Sequence, residues 1–155
     1  MNLARREVLK LGVTGAALAT LPIGTLFPAR SAHAAYPENA FKEKEVTKAL
    51  QDLFGTDQTA SGDVKIKAPD IAENGAVVPI TVSTGMSGVE SITILVEKNP
   101  SPLAAHFELS PRTDGYVSTR IKMGKTSPVI AVVKANGKLY SASKTVKVTI
   151  GGCGG

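Results

Sequence analysis

An all-β fold is predicted for this chain: an antiparallel sandwich of immunoglobulin-like type, with an N-terminal helix before it and a flexible C-terminal Gly-Cys arm after it. Three observations predict it. From Asp63 onward, apolar residues recur at every second position, the period of a half-buried strand. Turn dipeptides (Asn74-Gly75, Asp114-Gly115, Asn136-Gly137) fall between these runs and are hairpin-type signals. Val129 to Val133 is apolar without a break, as in a strand covered on both faces.

The elements follow in chain order. Residues 1–34 read as an export signal. Arg5-Arg6 opens a twin-arginine pattern, a weakly apolar stretch runs from Leu11 to Phe27, and Ala32-His33-Ala34 offers small residues for cleavage. The stretch is too short and glycine-rich to favour spanning a membrane. This signal places the mature chain in the periplasm, exported by the twin-arginine pathway. Residues 35–55 form the helical segment. Phe41, Val46, Ala49, Leu50 and Leu53 recur at helical spacing over Glu38 to Phe54, and Gly55 is a plausible stop.

Residues 56–150 are the expected sandwich, with seven strand candidates. The first is Val64 to Lys67. Val78, Ile80 and Val82 share one face, as do Ile92, Ile94 and Val96. Leu103, Ala105, Phe107 and Leu109 form another set, then Val117, Thr119 and Ile121. Val129 to Val133 comes next, and Tyr140, Ala142, Val146, Val148 and Ile150 complete the series. Pro79 suggests an edge or bulge position. In the last strand Val146, Val148 and Ile150 should face inward, with Lys147 and Thr149 outward.

Charge and composition narrow the function. The 155 residues carry a net charge of +5. The signal holds four basic residues (Arg5, Arg6, Lys10, Arg30) and one acid (Glu7), so its removal lowers the net charge to +2 over 121 residues. The basic character belongs largely to the precursor and does not argue for nucleic-acid binding. One cysteine and one histidine (His106) remain after cleavage, few soft ligands for a metal site. No phosphate-binding loop or dinucleotide fingerprint is present. No metal or cofactor is therefore expected. Twin-arginine export carries folded proteins, so a partner that folds and leaves with this chain is expected instead.

The chemistry concentrates at residues 151–155. Cys153 is the one cysteine, and Gly151, Gly152, Gly154 and Gly155 surround it. Glycine has no side chain to pack and many backbone states. Three extended steps from Ile150 let the thiol reach on the order of 10 Å beyond the domain. A free thiol titrates near ~8.5, and the arm holds no Lys, Arg or His to lower that value. A catalytic cysteine needs a positioned base. His106, between Ala105 and Phe107, is expected to be an ordinary exposed residue. No catalytic residue is assigned. A thiol that cannot activate itself, on an arm that enters other proteins, describes a covalent carrier. Two rivals are a binding module joined into dimers through Cys153 and a thiol enzyme. The lysines at 122, 125, 134, 138, 144 and 147 read as the solvated face of strands.

The chain resembles the Y subunit of the Sox thiosulfate-oxidation carrier. The resemblance rests on Gly151-Gly152-Cys153-Gly154-Gly155, on Ala68 to Gly75, on Val117 to Ile121 and on Lys144 to Ile150. It implies an immunoglobulin-like sandwich paired with a Z subunit as a heterodimer. It also implies that a haem-containing enzyme links thiosulfate to Cys153 and that a hydrolase releases sulfate. In some organisms a sulfane dehydrogenase oxidises the sulfur that remains. The carrier itself catalyses nothing in this scheme. A disulfide-linked dimer through Cys153 can coexist with carriage.

Overall fold

The structure, a computed structural model, describes residues 37–149. The expected signal, Ile150 and the arm at 151–155 lie outside the described residues.

The helical segment forms in two pieces, α1 (Glu38–Lys42) and α2 (Val46–Phe54). The expectation of one helix over Glu38 to Phe54 is corrected, because Glu43 and Glu45 adopt extended backbone. Periodicity gives the reason. Ala40 and Ala49 are nine residues apart, and at about 100° per residue a straight helix would point them in opposite directions. The break lets both enter one buried cluster with Leu50. α2 ends as expected at Gly55, which takes a left-handed φ of 71° and donates its N–H to the Gln51 carbonyl.

Nine strands follow among the described residues. They are β1 (Ala60–Ser61), β2 (Lys65–Lys67), β3 (Ile71–Ala72), β4 (Val78–Ser83), β5 (Val89–Val96), β6 (Leu103–Glu108), β7 (Tyr116–Ile121), β8 (Ser127–Ala135) and β9 (Lys138–Val148). Seven correspond to the expected runs. β1 and β3 are two-residue strands, too short to show alternation, and both pair parallel with β9. The sandwich is therefore not purely antiparallel. The larger sheet has the order β1-β9-β8-β5-β6, with β3 also on β9. The smaller has the order β2-β4-β7.

Only one of the three turn dipeptides closes a hairpin. Asn136 (φ 50°) and Gly137 (φ 71°) join β8 to β9, with Ala135 opposite Lys138. Two consecutive positive φ values suit the twist of the flanking strands. Asn74-Gly75 and Asp114-Gly115 instead lie on connections between strands of different sheets.

The two sheets bury one core between them. Val78, Ile80 and Val82 of β4 face Ile92, Ile94 and Val96 of β5, with Val129, Ala131 and Val133 of β8. The opposite face of the larger sheet presents Leu95, Val132 and Leu139 to the helices. This explains the unbroken apolar run in β8, which is covered on both sides. Pro79 lies in the middle strand of its sheet, but β2 reaches only Thr81 to Ser83. The open flank beside Pro79 tolerates the missing N–H, so the edge expectation holds locally. The set Leu103, Ala105, Phe107 and Leu109 does not share one face. A register shift between Ile94 and Leu95 sends Leu103 to the helix side, while Ala105 and Phe107 pack on the inner core.

Candidate functional site

Cys153 and its glycines Gly151, Gly152, Gly154 and Gly155 lie outside the described residues; what is described is their point of attachment. That point is the end of β9. Val146 is fully buried and Val148 packs on the core, while Lys147 and Thr149 are exposed, as the alternation predicts. β9 is held on both flanks here. On one side it pairs with β8, Ser127 opposite Val146. On the other it pairs with β3, where Lys147 N–H donates to Asp70 O at 2.9 Å and Thr149 N–H to Ala72 O at 3.2 Å. Thr126 adds a clamp from its loop, its Oγ1 accepting from Val148 N–H at 3.0 Å.

Small residues make this close approach feasible. A Cβ on Gly75 would collide with the Met123 carbonyl oxygen and with Val148 Cγ1. Met123 N–H donates to Gly75 O at 2.7 Å, so the loop before β4 and the loop after β7 are tied together beside Val148. Lys144 takes part as well. Its ammonium donates to Ala68 O at 2.7 Å and lies 3.0 Å from the Asp70 carboxylate. The expectation that Lys144 belongs to a solvated face is corrected. It shares its parity with Val146 and Val148, so its stem starts on the core side and its charged end reaches a carbonyl at the rim. Lys134 is also half-buried and paired, 2.9 Å from Glu90. Lys122, Lys125, Lys138 and Lys147 are exposed, as expected.

His106 differs from its expectation. It is half-buried, with Nδ1 2.8 Å from Thr93 Oγ1 and Phe54 edge-on at 5.9 Å. Burial pushes its pKa down, opposed by the nearby Glu108 carboxylate. The parity was legible: Phe107 faces the inner core, so His106 faces out. What alternation could not show is that the end of α2 covers this part of the outer face. A cleft of about 440 Å³ opens there, lined by Leu53, Phe54, Ser91, His106, Glu108 and Lys134 among others. Ser91 is buried, and its hydroxyl has no hydrogen-bond partner among the described residues. Glu90 borders the same cleft, its carboxyl held below the usual range by Lys134 and by the Gly137 N–H.

Distance separates this cleft from the arm. Through Thr93 and Val132, His106 lies level with Ser141 of β9, seven residues before Val148. That is about 23 Å along the strand, and three strand spacings add about 14 Å across the sheet. Cys153 follows Val148 by five residues, a reach of at most ~18 Å. His106 therefore cannot serve as a base for the thiol of its own chain.

Comparisons with known proteins bear on the same segment. The family described as sulfur oxidation protein SoxY matches residues 50–153, a span that ends on Cys153. Among solved structures, the chain is similar to the sulfur carrier protein SoxY from Chlorobium limicola f thiosulfatophilum. The two share 45% identity and a TM-score of 0.60, covering 66% of this chain and 94% of that one. A superoxide reductase (neelaredoxin) from Ignicoccus hospitalis is similar at 20% identity and a TM-score of 0.52, over 57% of this chain and 82% of that one. That likeness is one of fold. None of the curated proteins compared with the chain matches it.

Proposed function

The chain belongs to the SoxY family of sulfur oxidation proteins, and from that premise we propose that it is a periplasmic carrier of the sulfur intermediates of thiosulfate oxidation, bound through the thiol of Cys153. The observation that carries this reading is the family match, which runs from α2 to Cys153 and takes in the clamped end of β9.

Loading joins the thiol to the sulfane sulfur of thiosulfate. The cysteine loses its proton, an S–S bond forms, and two electrons pass to the haem-containing partner enzyme. Hydrolysis by a second enzyme then breaks the bond between the outer sulfurs. Water supplies the oxygen of the departing sulfate, and a persulfide remains on Cys153. In organisms that have a sulfane dehydrogenase, that sulfur is oxidised in turn. An S–S link suits this traffic because it forms and breaks by exchange. The carrier supplies position, not catalysis. β9 is held on both flanks up to Thr149, and beyond Ile150 only glycine surrounds the thiol, a thin shape for a narrow enzyme channel. The same chain pairs with a Z subunit, exported alongside through the twin-arginine signal at residues 1–34.

Cys153→Ser tests the reading. The variant is expected to fold with an unchanged melting temperature and to gain no reductant-sensitive sulfur adduct by intact-mass analysis after incubation with thiosulfate and the haem enzyme. Adducts that persist in the variant would sink the assignment. A disulfide dimer without cargo would show only doubled mass.

A further inference from the structure

The sandwich is asymmetric. α1 and α2 roof the outer face of the larger sheet, but no element among the described residues covers the outer face of the β2-β4-β7 sheet. Strand alternation decides what it presents. Val78, Ile80, Val82, Val117 and Ile121 face the core. The residues between them face out: Pro79, Thr81 and Ser83 from β4, with Ser118 and Arg120 from β7, flanked by Lys67 from β2.

Three features of this face point to a protein partner. First, its charge has one sign. The side chains on these strands include Lys65, Lys67 and Arg120 and no carboxylate, and Lys122 follows directly after β7. Lys65 is paired with Asp63 at 3.4 Å, whereas Lys67, Arg120 and Lys122 have no ion-pair partner among the described residues. Second, it borders two of the three large apolar side chains that are exposed among the described residues, Val77 (49%) and Tyr116 (56%). Third, its centre is low, because hydroxyls replace long side chains there; Thr81 and Ser118 meet across the strands at 3.1 Å.

The face also continues into an open strand edge. Pro79 has no N–H, so its pair with Arg120 is a rung without hydrogen bonds, and Arg120 and Ser118 turn their backbone groups away from β4. Those groups have no backbone partner among the described residues. An edge of this kind accepts a further strand.

We propose that the outer face of the β2-β4-β7 sheet is the docking face for an acidic partner subunit, which seats carboxylates against Lys67, Arg120 and Lys122 and apolar side chains against Tyr116 and Val77. The inference rests on the heterodimer reading above and names the face that the Z subunit covers. One end of the face adjoins the base of the arm, because Val77 and Lys122 border the Gly75–Met123 tie beside Val148.

The test uses the full mature chain and purified Z subunit, with affinity measured by calorimetry at low and high salt. Lys67→Glu with Arg120→Glu is expected to raise Kd at least ~10-fold and to flatten its salt dependence, because charges at an interface steer and select partners. Tyr116→Ala is expected to raise Kd by a salt-independent factor. Both variants keep the unaltered melting temperature and the unaltered rate of Cys153 labelling. Asp52→Lys, an exposed reversal on the helical roof, should change Kd by less than about twofold. Affinity untouched by the face variants, or lost instead through Asp52→Lys, overturns the assignment of this face while leaving the heterodimer intact. No complex with the unaltered chain overturns the heterodimer reading itself, and the docking face with it.

Discussion

His106 shows how one residue couples burial to pH. Its ordinary value is 6.5, and desolvation under the end of α2 holds the folded value below that. At mildly acidic pH the unfolded chain therefore binds more protons at this site than the folded one. The stabilising share of neutral His106 is complete above 6.5 and is lost as pH falls through the folded value. The melting temperature is expected to drop between pH 7 and pH 5, and His106→Gln should remove part of that drop. Asp63 is held low by the Gly85 N–H and by Lys65, and Glu90 by Lys134 and the Gly137 N–H. Their shares are lost only below the ordinary carboxylate range of about 4, so they do not mimic the histidine in this window. An identical slope in His106→Gln would place the acid sensitivity elsewhere.

At the scale of the element, β9 matters most. The alternation of Val146, Lys147 and Val148 was enough to say which side chains anchor the arm and which face water. The flanking partners were not legible. β3 is two residues long and pairs parallel across 76 positions (Ile71 with Lys147), and Thr126 acts from a loop. Gly75 and Gly137 separate two uses of glycine. Gly137 has open space where a Cβ would sit and needs only its left-handed backbone, so Gly137→Ala is expected to cost about 1 kcal/mol. Gly75 has no room, and Gly75→Ala must push the Met123 carbonyl or Val148. Its expected cost is about 2–3 kcal/mol by urea denaturation, with faster amide exchange at Val148. A smaller effect at Gly75 than at Gly137 would refute the clamp at the base of the arm.

For the molecule as a whole, the layers set the division of labour. One core lies between the sheets and a second lies between the larger sheet and the helices. The second holds α2 down: Leu50, 5% exposed, sits in one buried cluster with Leu95, Leu103, Val132 and Leu139. Leu50→Ala is expected to cost about 2–5 kcal/mol in chemical denaturation. Loading of Cys153 should persist below the melting point, because the helical roof is remote from the base of the arm. Loading lost in the folded variant would show that the roof takes part in presenting the thiol.

Local chemistry settled what needs only neighbours along the chain. The β class came from period-two alternation and the stop at Gly55 from backbone freedom. The lone thiol among glycines made a carrier the favoured reading because no activating group stands beside it. Tertiary structure decided whatever depends on residues far apart in sequence. It broke the helix so that Ala40 and Ala49 meet one sheet, and turned Leu103 away from Ala105 through a register shift. It drew Lys144 to the Ala68 carbonyl and covered His106 with Phe54. A side chain's parity follows from its own strand, but what lies across from it depends on which distant segment packs there.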